Sequence, residues 1–132
     1  MRVQWIVIAN ASLERLFRRD SPTDHLVPLA TMEYLESRLK GSVLADDYSG
    51  RRKEHQLFAR EIAERLKTGL TAGKFGTAWL FASSLFLGEL KVQLSDAVDK
   101  RLQLALDSDL TSFGLAEIKQ RLRDQPDFLS NR

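Results

Sequence analysis

The residues best suited to chemistry gather in one stretch of the chain. Arg38 and Lys40 are followed by Tyr48, then by the run Arg51, Arg52 and Lys53, with His55 two positions further on. Lysine and arginine side chains meet phosphate oxygens and a tyrosine ring stacks on a base, so cations interleaved with an aromatic suit an RNA-like anion. Asp46, Asp47 and Glu54 dilute the charge, and a solvated loop leading into an ordinary charged helix accounts for the same residues. Cations at a helix start oppose the helix dipole, by about 0.3–1 kcal/mol each when exposed, and an anionic partner would relieve that cost. His55 could titrate near neutral pH or orient a phosphate, while a surface or helix-capping histidine is the simpler reading.

A second candidate is the pair Ser83 and Ser84, placed where a predicted parallel strand gives way to a helix. Open α/β sheets bind ligands at such strand ends, and helix N-termini attract anions, so a small anion pocket is conceivable there. The surrounding Ser-Ser-Leu-Phe-Leu-Gly has neither a glycine-rich phosphate loop nor a Gly-x-Ser-x-Gly elbow, and helix capping is the plainer role.

Other chemistries find little support. The chain has no cysteine and two histidines, His25 and His55, without close spacing. Disulfides and thiolate sites are thereby excluded, and a histidine-rich metal site is disfavoured. A two-metal nuclease needs carboxylates on adjacent strands, and the first apolar run, residues 3–9, holds none, while Asp20, Asp46, Asp47 and Asp107 fall in predicted turns. No catalytic residue and no cofactor is therefore assigned. The charge balance, 20 cationic against 18 anionic side chains, produces no long-range field, so only local clustering carries an electrostatic argument.

These groups must be held by elements, which the apolar spacing outlines. Val3 to Ala9 is nearly continuous and β-rich, as expected of a strand buried on both faces. Asn10-Ala11-Ser12 has turn chemistry, and residues 13–18 read as a second strand that Pro22 stops, with a short helical turn at its start as the alternative. Residues 25–34 contain Pro28, which confines a third strand to an edge or a bend. Three strands without an intervening helix imply antiparallel neighbours. Residues 37–50 read as a long loop.

The period changes at Arg51, where Phe58, Ile62, Leu66 and Leu70 recur every fourth residue, predicting a helix stopped near Gly69 or Gly73. Residues 77–82 suit a buried strand containing Trp79, residues 85–100 a second helix, residues 102–106 a last strand, and Leu115, Ile118 and Leu122 a final helix before Pro126. The expectation is one α/β domain over residues 1–132: a single mixed β-sheet of about five strands flanked by helices, in the order βββαβαβα.

Several local patterns resemble the bacterial host attachment protein family, itself distantly similar to the middle domain of eukaryotic-type peptide release factors. The match includes Trp5-Ile6-Val7-Ile8-Ala9-Asn10-Ala11, Leu16-Phe17, Ser37-Arg38-Leu39, Leu44-Ala45-Asp46-Asp47 and Gly50-Arg51. It continues through Lys53-Glu54-His55, Phe58-Ala59, Ala63-Glu64-Arg65-Leu66, Phe86-Leu87-Gly88-Glu89-Leu90 and Asp109-Leu110-Thr111. The resemblance implies a ribonuclease-H-like sheet. It does not carry over peptidyl-tRNA hydrolysis, because the Gly-Gly-Gln motif of release factors is replaced by Tyr48-Ser49-Gly50-Arg51-Arg52.

The leading functional expectation is a non-enzymatic binding protein that uses residues 37–55 to meet an anionic partner, structured RNA on the ribosome. A small hydrolase or nucleotide-binding enzyme using His55 or the Ser83-Ser84 turn is the first alternative, and an adaptor binding another protein the second. A cysteine-free chain with no long apolar run points to the cytoplasm and away from membrane insertion.

Overall fold

The computed structural model describes residues 2–21, 25–33 and 48–125, with side chains of the first long helix described from Lys53 onward. Its elements are β1 (Arg2–Ala9), β2 (Leu13–Ser21), β3 (Leu26–Glu33), α1 (Tyr48–Thr71), β4 (Thr77–Ala82), α2 (Ser84–Gln93), α3 (Asp96–Arg101), β5 (Leu102–Asp107) and α4 (Leu115–Arg123). They form one mixed sheet in the order β3-β2-β1-β4-β5. The first three strands are an antiparallel meander, and β4 and β5 run parallel to β1.

The continuous apolar run of β1 is explained by its place at the centre of that sheet. Ile6 and Ile8 point to one face, with Phe17, Trp79, Phe81, Leu110, Ile118 and Leu122. Trp5, Val7 and Ala9 point to the other, where Phe58, Ile62 and Leu66 of α1 and Phe86 and Leu90 of α2 cover them. Helices α1 to α3 therefore share one face and α4 takes the opposite one. Each large apolar side chain removed from water in this way stabilises the fold by roughly 1.5–3 kcal/mol.

Local chemistry sets the ends of the elements. Asn10 Oδ1 accepts the amides of Ser12 and Leu13 at 2.9 and 3.0 Å, and its own amide donates to the Leu13 carbonyl, which closes the β1–β2 turn. No helical turn forms there, and residue 13 begins β2 directly. Pro28 lies in the edge strand β3, beside a register shift at Leu16 and Phe17, where a missing backbone donor is tolerated. Helix α1 ends in a Schellman arrangement, with Lys74 N–H donating to Gly69 and Gly73 N–H to Leu70. Gly73 adopts the left-handed φ of 74° that this cap requires.

Several boundaries differ from the sequence expectation. Strand β2 runs on to Ser21 and β5 to Asp107, so Asp20 and Asp107, expected in turns, lie in strands. The predicted single helix over 85–100 is two helices, because Ser95 accepts the Val98 amide and Asp96 and Asp99 enter the new first turn. This N-cap outcompetes continuation although the apolar spacing runs through it. The predicted loop over 37–50 gives way to helix by Tyr48.

At Gly69 helix α1 approaches the sheet closely: a Cβ there would lie 2.5 Å from Trp5 Cη2 and 2.8 Å from Cζ3, with Phe75 stacked on Trp5 at a ring separation of 4.5 Å. Gly69→Ala is expected to destabilise the protein by about 1–3 kcal/mol through overpacking. Gly88→Ala on α2, where a Cβ meets nothing within 4 Å, should instead stabilise by up to about 1 kcal/mol from helix propensity. Urea unfolding of both variants checks the pair.

Candidate functional site

The parallel strands β1, β4 and β5 all end at the same edge of the sheet, so their carboxyl ends bring Ala9-Asn10, Ala82-Ser83 and Asp107-Ser108 together. Helix α1 precedes β4 and runs back across the sheet, which puts its basic start toward this edge; His55 there lies edge-on to Phe86 of α2 at 6.5 Å.

On the α4 side of the edge the polar groups satisfy one another. Asn10 Nδ2 donates to Asp109 Oδ2 and to Thr111 Oγ1, each at 3.1 Å. Asp109 Oδ1 accepts the Thr111 amide at 2.9 Å and its hydroxyl at 2.7 Å. Burial alone would raise the Asp109 pKa, but the Thr111 and Asn10 donors outweigh it and hold the carboxyl below its ordinary value. Arg15 Nη1 donates to the carbonyls of Thr111 and Phe113 at 3.1 and 2.6 Å, and Arg121 stacks on the Phe113 ring at 4.7 Å. The network clips the β1–β2 turn to the segment entering α4.

On the α1 side lies a different arrangement. Glu14, at the start of β2, is 1% exposed, and its Oε1 is 2.8 Å from Arg65 Nη1 on α1. The charges are close but poorly aligned, since neither Glu14 oxygen nor Nη1 makes a hydrogen bond. Arg65 Nη2 points at Met32 Sδ, 2.7 Å away on β3. Burial pushes the Glu14 carboxyl up to about 7, against the opposing effect of Arg65. Glu54, 8% exposed near the start of α1, also has a buried oxygen, Oε2, without a partner.

The candidates chosen from sequence fall as follows. Arg38 and Lys40 lie outside the described residues. Tyr48, Arg51 and Arg52 are in the first turns of α1, where the first turn contains no acidic residue, and Lys53 is exposed just after them. His55 is half-buried, packed against Phe86. Ser83 occupies the N-cap position of α2 but its side chain makes no capping hydrogen bond, and Ser84, expected to cap, is the first helical residue. The Ser84 hydroxyl donates to Asp107 at 2.9 Å, so a carboxylate of the chain already stands at this helix start. Among the described residues no three His, Cys, Asp or Glu side chains group so as to hold a metal ion, and no helix is long and apolar enough to cross a membrane.

Sequence reasoning missed the Glu14 and Arg65 pair, though a signal was present. Glu14 lies two positions before Leu16 and so shares its core-facing side of β2, and Arg65 falls three residues after Ile62 and seven after Phe58, on the apolar stripe of α1. Opposite charges at two core-facing positions are each other's natural partners.

The architecture is that of a mixed-sheet α/β domain also seen in solved structures. The chain is similar to S. cerevisiae Dom34, described as a translation termination-like factor involved in RNA quality control pathways and interacting with Hbs1. The TM-score is 0.51 and the identity 14%, over 96% of this chain and 34% of Dom34. The chain thus spans about a third of that protein's length, and the likeness is one of fold. No curated protein matches the sequence. Residues 50–122 match the family described as "Protein required for attachment to host cells", and the chain belongs to that family.

Asn10→Ala removes both side-chain donors to the edge network and both acceptor contacts in the turn. It is expected to cost about 1–3 kcal/mol in thermal unfolding. The Asp109 pKa should also rise toward its ordinary value in a carboxyl NMR titration, because one of the donors favouring its charged form is gone.

Proposed function

We propose that this protein is a non-enzymatic, cytoplasmic bacterial binding protein whose partner is structured RNA on the ribosome, met through residues 37–55. The observation that carries the reading is the start of α1. Arg51, Arg52 and Lys53 follow a first turn without any acidic residue. Helix starts ordinarily collect acidic side chains, because the free amides and the dipole there are positive. Three cations in that position add to the field, which suits a polyanion and little else. The far end of α1 is fixed by its Schellman cap and by Trp5 packed on Gly69.

The likeness to Dom34 supports a translation-related setting through fold analogy, which by itself confers no activity. The missing Gly-Gly-Gln motif argues for binding without peptidyl-tRNA hydrolysis. Host attachment would then be an indirect outcome of a function inside the cell. A hydrolase built on His55 has less support, since that ring packs on Phe86 and its described contacts include no carboxylate.

An adaptor role has one observation in its favour. Leu85 and Val92, seven residues apart on α2, are 77% and 80% exposed, and apolar side chains left uncovered on one helix face suit a protein partner.

Ribosome and RNA cosedimentation across a salt series tests the main reading. Arg51→Ala, Arg52→Ala and Lys53→Ala combined should weaken binding and lower the slope of log affinity against log salt by up to about 2, at about 0.7 for each single-strand phosphate no longer neutralised. Unchanged binding in the triple variant, or none by the parent protein, rejects it. Loss of a protein partner on Leu85→Asp with Val92→Asp, with RNA binding absent throughout, would favour the adaptor.

A further inference from the structure

We infer that Glu14 and Arg65 form a proton-operated clasp between helix α1 and the β2–β3 hairpin, closed when Glu14 is charged and released when it takes up a proton. The inference does not rest on the RNA reading and holds whatever partner α1 meets.

The geometry is that of a close contact held by charge more than by a well-directed hydrogen bond. Glu14 pairs across the sheet with Ala9 of β1 and with Met32 of β3, so the residues directly opposite it bring neither a charge nor a side-chain donor. From the helix above, Arg65 Nη1 comes to 2.8 Å without an aligned hydrogen bond. The other nitrogen, Nη2, is directed to the Met32 sulfur, a weak acceptor. Glu54, the other buried carboxylate of α1, lies eleven residues, about 16 Å of helix, toward its start. Among the described charged groups, Arg65 is the one acting on the Glu14 carboxyl.

A carboxylate so enclosed, with one misaligned cation, gains little from being charged, and a buried ion pair of this kind does more to define geometry than to add stability. Once Glu14 is neutral, Arg65 loses its counter-charge. Its side chain is already 28% exposed, and it can turn to solvent without crossing the core. The hairpin and helix then keep their apolar packing but lose this polar tie between them.

The direction of the pH effect follows from linkage. Burial raises the Glu14 pKa from 4.5 to about 7, with Arg65 opposing. Between those values the folded chain holds a proton that the unfolded chain has released, so stability falls as pH rises through this interval. The contribution is present in full below 4.5 and is lost by the time the pH passes the folded value of about 7. Charging Glu14 thus closes the clasp at a cost in global stability, and the balance sits near neutrality.

The test is a ¹³C NMR titration of the Glu14 carboxyl in the full chain between pH 4 and pH 9, paired with thermal unfolding of the parent and of Glu14→Gln across the same range. The expected midpoint for Glu14 is near 7, with amide and Arg65 Nε–H signals shifting at that same midpoint. Arg65→Met should move the midpoint further up, because the cation favouring the charged form is gone. The unfolding temperature of the parent should fall relative to that of Glu14→Gln as pH rises from 5 to 8. A Glu14 midpoint near 4.5 overturns the inference, as does an Arg65 Nε–H signal indifferent to the Glu14 titration. Should Glu14→Gln fail to fold, the titration of the parent alone decides.

Discussion

Everything in this molecule depends on a strand that cannot be left wet on either side. Residues 5–9 of β1 bury Trp5, Val7 and Ala9 on one face and Ile6 and Ile8 on the other, so the chain must supply cover above and below and hydrogen-bonded neighbours left and right. One neighbour comes cheaply, through the three-residue turn that Asn10 closes. The other must run parallel to β1, and a parallel neighbour requires the chain to cross the sheet before it can be added. Helix α1, 24 residues long, makes that crossing and covers the Trp5 face as it does so.

The same constraint places the polar groups. Because β1, β4 and β5 run in one direction, their turns collect at a single edge, and residues nearly a hundred positions apart, Asn10 and Asp109, become partners. The two sides of this edge resolve their buried polarity differently. Beside α4, Asn10, Arg15, Asp109 and Thr111 use side-chain donors and backbone carbonyls whose geometry is well matched, and such a satisfied network fixes one conformation. Beside α1, Glu14 faces Arg65, whose other nitrogen is turned to a methionine sulfur, and its charge is poorly compensated. The first arrangement is a fastening; the second is sensitive to a proton.

Helix α1 therefore joins two roles. Its apolar stripe is indispensable to the core, while its first turns hold the run Arg51, Arg52 and Lys53. The family match itself begins at residue 50 and runs through to α4, so it takes in the basic start, the crossover and the parallel half of the sheet.

Much of this was legible in the amino-acid order. The strand buried on both faces, the meander, the edge position forced by Pro28, the fourfold period of α1 and its glycine stop all follow from interactions among residues within a few positions of one another, where chain geometry leaves few alternatives. The break at Ser95 was harder, because the apolar spacing continues through it and a single capping serine decides the boundary. The pairing of Glu14 with Arg65 belongs to the tertiary structure. The spacing of each residue puts it on the core-facing side of its own element, but only the laying of α1 across β2 and β3 removes their water and leaves them to each other. Desolvation depends on what the distant chain brings overhead, and no local pattern of residues contains that.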